Sequence, residues 1–547
     1  MITRVARVVA IGAVAFAIHA QTADKPESVR ITATEVKPSH LPPPDSITEN
    51  TVTVGGQRIL YQAVAGTITV GATDAYDAML GLDGQLLSDA GTNAPDPNKP
   101  DEAPATARMF YTAYFRKDAA AGTRPVMFVY NGGPGSSTMW LHMGSFGPRR
   151  VVTPDAEHKT AAPYTIVENQ YSLLDVTDLV FIDAPGAGFS RIQGKDKEKS
   201  FFGIDQDAHA FDRFIRRFLA KYDRWNSPKY LFGESYGTPR SAVLSALLKH
   251  VDLNGIVLLS AILNFDNSID GPRWNPGIDE PYELALPTYA ATAYYHHKLP
   301  VQPSALEPFL SEVEKFALGE YASALLQGSL LPEAQQKAIA QKLHNYTGLP
   351  VDYLLKANLR VSGGAFSKTL QDPDGLTTGR VDTRYRGPDM NRLSEEADYD
   401  PLMDAVGAPY TTAINQYLRT ELKYGRDQTY VPTAWDEAGF NWDMRHHPPD
   451  GPPASDNLAV NTMPDLAYTM KANPKMHVLL AGGYFDLATP FFEGIFEMHH
   501  LPIPQSLQQN ISYKYYESGH MVYLNEGVLK QFHEDVAKFV RDTEAGK

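Results

Sequence analysis

The chain has 547 residues, 43% of them hydrophobic and 21% charged, a balance typical of soluble globular proteins and sufficient for a large core. Its formal net charge of −15 argues against nucleic acid or an anionic membrane surface as a partner. It has no cysteine, which excludes disulfides, thiolate metal sites and a cysteine nucleophile.

The elements begin with an export signal. Arg4 and Arg7 precede an apolar run from Val8 to Ile18 that closes on His19 and Ala20. This pattern predicts a secretory signal peptide over residues 1–20, with Ile18 bulkier than the usual residue before a cut. The run is shorter than the roughly 20 residues a transmembrane helix needs, and no cysteine offers a lipid anchor. An exported protein, periplasmic or extracellular and without a membrane anchor, is expected.

Residues 21–48, with Pro38, Pro42, Pro43 and Pro44, read as a loosely structured lead-in. The first part of the core is expected over 49–265. Thr51–Val54, Gly55-Gly56 and Ile59–Val64 predict a hairpin. Residues 89–106 carry four prolines and read as an exposed loop, and Met109–Phe115 as an edge-like strand. Short apolar runs at 126–130, 179–182, 229–232 and 255–259 read as buried strands separated by helices. One such helix shows Phe211, Phe214, Ile215, Phe218 and Leu219 at helical spacing, a stripe suited to packing on a sheet.

Residues 266–470 differ in texture, with helical segments near 304–327 and 332–345 and Gly- and Pro-rich connections at 363–390 and 448–453. They read as an inserted, largely helical cap forming one wall of a substrate cleft. The core resumes over 471–547, where His477–Leu480 and Tyr513–Tyr516 predict strands and Val528, Leu529, Phe532, Val536, Phe539 and Val540 stripe a last helix. Strands alternating with helices predict an α/β fold with a mostly parallel central sheet.

Three motifs carry chemistry. Gly233-Glu-Ser-Tyr-Gly237 is a G-x-S-x-G elbow, a strand-to-helix turn that lifts Ser235 clear of the sheet as a nucleophile. Such a serine needs an acid and then a histidine at the ends of later strands, and Asp486 and His520 stand there. The loop Asn131-Gly-Gly-Pro-Gly-Ser-Ser137 follows the strand at 126–130 and can turn backbone N–H groups toward a developing oxyanion. Its glycine spacing fits neither phosphate-binding nor dinucleotide fingerprints. The histidine pairs at 296–297, 446–447 and 499–500 lack metal-ligand spacing, so neither a metal nor a cofactor is expected.

Together Asn131–Ser137, Gly233–Gly237, Gly519–Val522 and Asp178–Ser190, the last with an Asp-x-Pro-x-Gly-x-Gly-Phe-Ser pattern, resemble the serine carboxypeptidases. The resemblance covers roughly residues 105–265 and 455–545. It implies the α/β-hydrolase fold, Ser235, Asp486 and His520 as catalytic residues, and the N–H groups of Gly133 and Tyr236 as the oxyanion hole. It further implies a peptide substrate whose terminal carboxylate meets Asn131, Gly132 and Glu234. Ser145 stands where the family has a second carboxylate-binding Glu, and Ser136 where it has a disulfide cysteine. The absence of cysteine suggests a bacterial-type exported member. A hydrolase of peptide C-termini is the expected function, with an esterase or acyltransferase on the same fold, or a catalytically silent binding protein, as the alternatives.

Overall fold

The computed structural model describes residues 44–87, 102–120, 122–158, 161–272, 275–436, 439–449, 451 and 460–546. The expected signal peptide and nearly all of the lead-in lie outside them, as does most of the proline-rich loop at 89–106.

Ten strands form one sheet: β1 (Ser46–Val54), β2 (Gln57–Gly71), β3 (Thr106–Arg116), β4 (Val126–Tyr130), β5 (Asp178–Ile182), β6 (Arg191–Gln193), β7 (Lys229–Glu234), β8 (Gly255–Leu259), β9 (His477–Gly483) and β10 (Ile511–Tyr516). Their order is β1-β2-β3-β5-β4-β7-β8-β9-β10, with β6 paired to β3 outside this path. Pairing is antiparallel from β1 to β5 and parallel from β5 to β10.

The inner parallel strands β4, β5, β7 and β8 are fully buried and mainly apolar because both sheet faces are covered there, whereas the edge strand β10 is partly exposed. Alternate residues supply two separate cores. Met127 and Val129 of β4, with Tyr230 and Phe232 of β7, face one core. Val126, Phe128 and Tyr130, with Leu231, face the other. The second core takes the aromatic stripe of helix α1 (Ile204–Lys221) and residues of α2 (Gly237–Leu247). The first takes the C-terminal helix Glu526–Glu544 and the helix Pro401–Thr420.

One expectation is corrected here. The segment at 109–115 is an interior strand, hydrogen-bonded to β2 on one side and β5 on the other, and nearly every residue in it is buried. A strand's place within a sheet is set by partners distant in sequence, which its local pattern does not record.

The helices Glu280–Tyr295, Leu306–Phe316 and Glu333–Thr347 share a third core, into which Phe485, Leu487, Phe491 and Phe492 insert from the chain following β9. The helix Met463–Ala472 instead packs in the sheet core beside α2. Parallel strands with one orientation bring the loops after β4, β7, β8, β9 and β10 to a single edge, where open α/β sheets place their ligands.

Candidate active site

The elbow is built as a strained turn. Ser235 has φ 61°, the left-handed region that an ordinary side chain avoids, and its N–H bonds to Leu259 O at 3.0 Å, continuing the β7–β8 register. Thr238 Oγ1 braces the turn from within α2 by donating to Ser235 O at 2.7 Å.

The loop after β4 lies directly against the elbow. A Cβ on Gly132 would stand 2.3 Å from Tyr236 N, so only glycine allows this approach. Asn131 Oδ1 accepts from Leu141 N at 3.0 Å, and Ser136 N–H donates to Gly132 O at 3.0 Å, closing the loop. Among the described residues, neither the Gly133 N–H nor the Tyr236 N–H donates to a protein acceptor. Two unclaimed donors on abutting turns are what an oxyanion requires.

Asp486 and His520, the expected acid and base, sit on the loops after β9 and β10. His520 Nδ1 bonds to Asp486 Oδ2 at 2.7 Å, and both side chains are buried. Asp486 Oδ1 accepts from the N–H groups of Ala488 and Thr489 at 2.9 and 3.0 Å, and Thr489 Oγ1 donates to Oδ2 at 2.8 Å. The carboxylate is therefore fixed in place and aimed at the ring. Burial opposes the protonated imidazole, but the charge and hydrogen bond of Asp486, joined by the charge of Glu234, outweigh it and hold His520 above its ordinary pKa.

These elements enclose a cleft of about 540 Å3. Asn131, Gly132, Gly133, Glu234, Ser235, Tyr236 and His520 all line it, so the candidates read from sequence converge, with Asp486 behind His520. Trp140, Ile262, Phe265, Met403 and Trp435 make much of the remaining wall apolar, and Arg380 and Asp270 add a bidentate ion pair. Ser145 is fully buried, with Oγ donating to Leu141 O at 2.6 Å, and does not line the cleft.

Glu234 is the unusual carboxyl. Burial pushes it up to about 7, while the charge of His520 and the Tyr523 hydroxyl pull it back. Tyr523 Oη donates to Oε1 at 3.2 Å, whereas Oε2 has no partner among the described residues. A buried carboxyl with an idle oxygen beside the nucleophile is suited to gripping a ligand.

Sequence reasoning missed the residues that hold the acid and base together. The segment 380–384 threads between their loops: Leu487 N–H donates to Arg380 O at 3.0 Å, Thr383 N–H to Phe485 O at 2.9 Å and His520 N–H to Val381 O at 2.8 Å. Within it Arg384 pairs with Asp382 at 2.6 Å and reaches Ser518 Oγ at 3.2 Å. A Cβ on Gly519 would stand 2.3 Å from the Asp382 Cβ, which explains the glycine before the histidine. Nothing local in 380–384 signals this role. Thr489 was more accessible, as a threonine three residues past Asp486 whose N–H closes a turn on that carboxylate.

The strand order, the elbow and the Ser, Asp, His succession along the chain define an α/β-hydrolase with the furnishings of a serine hydrolase. Comparison with known proteins narrows the class. Residues 101–265 match the serine carboxypeptidase family model. It is 28% identical over 183 residues to serine carboxypeptidase-like 33 of Arabidopsis thaliana, covering 32% of this chain and 35% of that relative. It is likewise 28% identical over 196 residues to serine carboxypeptidase-like 28 of the same plant, covering 33% and 40%. The chain thus matches well under half the length of these curated relatives. Among solved structures, a prohormone-processing carboxypeptidase of Saccharomyces cerevisiae aligns over 88% of this chain and 91% of its own, with 14% identity and a TM-score of 0.48.

Proposed function

We propose that the protein is a serine carboxypeptidase that releases C-terminal residues from peptides through an acyl-enzyme on Ser235. His520 takes the Ser235 proton as Oγ attacks the scissile carbonyl, and Asp486 fixes the imidazole tautomer. The N–H groups of Gly133 and Tyr236 receive the oxyanion, each donor contributing on the order of 3 kcal/mol to the transition state. The proton then passes from His520 to the leaving amine, and water reverses the sequence to free the acyl group.

The observation that carries peptide C-termini over other acyl substrates is Glu234, buried in the cleft with an unpartnered Oε2 and a carboxyl pushed up to about 7. Protonated, it donates to a substrate carboxylate without placing two like charges together. Asn131 and Gly132 stand beside it in the same wall. Ser145 favours the second reading, an esterase or acyltransferase, because it leaves Glu234 without a second carboxyl partner at that position.

In this reading residues 266–470 form a cap inserted between core segments 49–265 and 471–547, with residues 21–48 as the lead-in. Residues 1–20 would direct export to the periplasm or beyond, which rests on Arg4, Arg7 and the apolar run after them. Among the described residues no helix is long and apolar enough to cross a membrane. Release of the last residue from an N-blocked peptide, measured beside its C-terminal amide from pH 4 to 8, is the test. Preference for the free acid, strongest at low pH, is expected; equal cleavage of the amide, or hydrolysis of esters alone, would transfer the assignment to the second reading.

A further inference from the structure

One buried cation away from the cleft makes three separate contacts. The Arg240 side chain, in the first turns of α2, is fully buried, and so is its partner Asp207 on α1. Nε donates to Asp207 Oδ2 at 2.5 Å and Nη2 to Oδ1 at 3.3 Å, while Nη1 donates to the carbonyl oxygen of Asn131 at 2.7 Å. The guanidinium also lies over the Phe211 ring at 4.4 Å and the Tyr236 ring at 5.3 Å.

A buried ion pair is a poor way to add stability, since apolar residues of similar volume often serve as well or better. What a guanidinium offers is direction. Its donors lie in one plane at fixed angles, so a carboxylate gripping Nε and Nη2 dictates where Nη1 points. Here Nη1 points at the peptide joining Asn131 to Gly132, which leads into the Gly133 N–H. The face of the same plane rests on Tyr236, whose N–H is the other donor.

We propose that Arg240, oriented by Asp207, is a positioning residue that sets the separation of the Gly133 and Tyr236 N–H groups and so the fit of the oxyanion between them. This rests on the acyl-enzyme reading given above.

The test measures kcat and KM on an N-blocked dipeptide, and inhibition by a peptide boronic acid, whose tetrahedral adduct on serine places an oxygen at the donor pair. The proteins are wild type, Arg240→Met, Arg240→Lys and the double variant Arg240→Met with Asp207→Leu. Arg240→Met is expected to lower kcat about 10- to 100-fold, less than outright removal of a donor, and to weaken the boronic acid in parallel. KM is measured alongside, but because Arg240 also holds the backbone of Asn131, which this reading sets at the substrate carboxylate, kcat and boronic acid affinity carry the test. The double variant no longer strands the Asp207 charge and should regain thermal stability without regaining kcat. Wild-type kcat in a thermally restored double variant, or unchanged boronic acid affinity, would overturn the proposal. If the methionine variants do not fold, Arg240→Lys decides: its ammonium can satisfy Asp207 but cannot hold Asn131 in the same plane, and wild-type kcat there overturns the proposal equally. Ser235→Ala separates the two levels, since turnover surviving that change would refute the acyl-enzyme itself, whereas a silent Ser235→Ala beside fully active Arg240 variants refutes only the positioning role.

Discussion

The two walls of the cleft are held by opposite means. On one, the Asn131–Ser137 loop and the elbow follow β4 and β7, neighbours in the sheet, and the hydrogen-bond register of those strands carries straight into the turn at Ser235. On the other, Asp486 and His520 leave β9 and β10 on loops bridged by residues 380–384, which arrive from the long segment between β8 and β9. Each half of the first wall is a short motif at the end of its own strand, and both halves lie within the stretch that matches the family model, 101–265. The second depends on a long-range insertion of backbone between two loops. Placement of a reactive group can thus come chiefly from strand register or chiefly from backbone inserted between two loops.

The largest expected effect breaks the first wall at its centre. Ser235→Ala should lower kcat on an N-blocked peptide by about 10^5- to 10^6-fold with the circular dichroism spectrum unchanged, and any substantial residual turnover would refute the nucleophile. Next comes the brace. Asp382→Ala leaves the buried Arg384 without its main partner and should cost about 3 kcal/mol, toward the low end for a broken buried pair because Asp155 and Ser518 remain in reach. Denaturant unfolding measures it, and kcat should fall as the His520 loop loosens; unaltered stability would show that the brace is incidental.

A smaller effect concerns Glu493 and Glu497, both fully buried on the helix Phe491–His499 that follows Asp486. Burial raises both, Glu497 to about 8, and the charge of Glu497 adds to the rise of Glu493; Glu497 accepts the N–H groups of Leu263 and Asn264, while Glu493 has no hydrogen-bond partner among the described residues. The folded form therefore holds protons that the unfolded chain releases above about 4.5, and stability should decline as pH rises from there through about 8. Glu493→Gln, neutral at every pH, should raise the thermal midpoint by a few degrees at pH 8 and little at pH 5. An equal change at both pH values would exclude this account.

The smallest is a shift in binding. Glu234, pushed up to about 7, loses its proton near neutrality, so KM for a free-acid peptide should rise as pH passes 7. Glu234→Gln keeps a donor and should flatten that rise; a flat profile in the wild type would remove Glu234 from carboxylate binding.

Much of the first wall was legible because its cues are short. β4 and β8 are apolar throughout and β5 and β7 carry apolar stretches at 179–182 and 230–232, and a G-x-S-x-G turn or an Asn-Gly-Gly-Pro-Gly loop announces itself within a few residues. Asp486 and His520 were legible by a weaker route, as polar residues ending apolar runs in a required order. What could not be read is what joins segments far apart. Tyr523 on Glu234, Arg240 between Asp207 and Asn131, and Asp382 beneath Gly519 are all contacts between residues with no periodicity to betray them. The interior position of β3 escaped for the same reason.

The bridge at 380–384 also lines the cleft, through Arg380 and Val381. Its backbone is hydrogen-bonded to the chain at Phe485 and Leu487 and to His520, so this stretch cannot swing outward on a hinge without dragging the acid and base from register. The half-exposed Trp435 and Met403 line the same cleft. On the proposed carboxypeptidase reading, side chains such as these would choose among peptides while the paired loops behind them stay assembled.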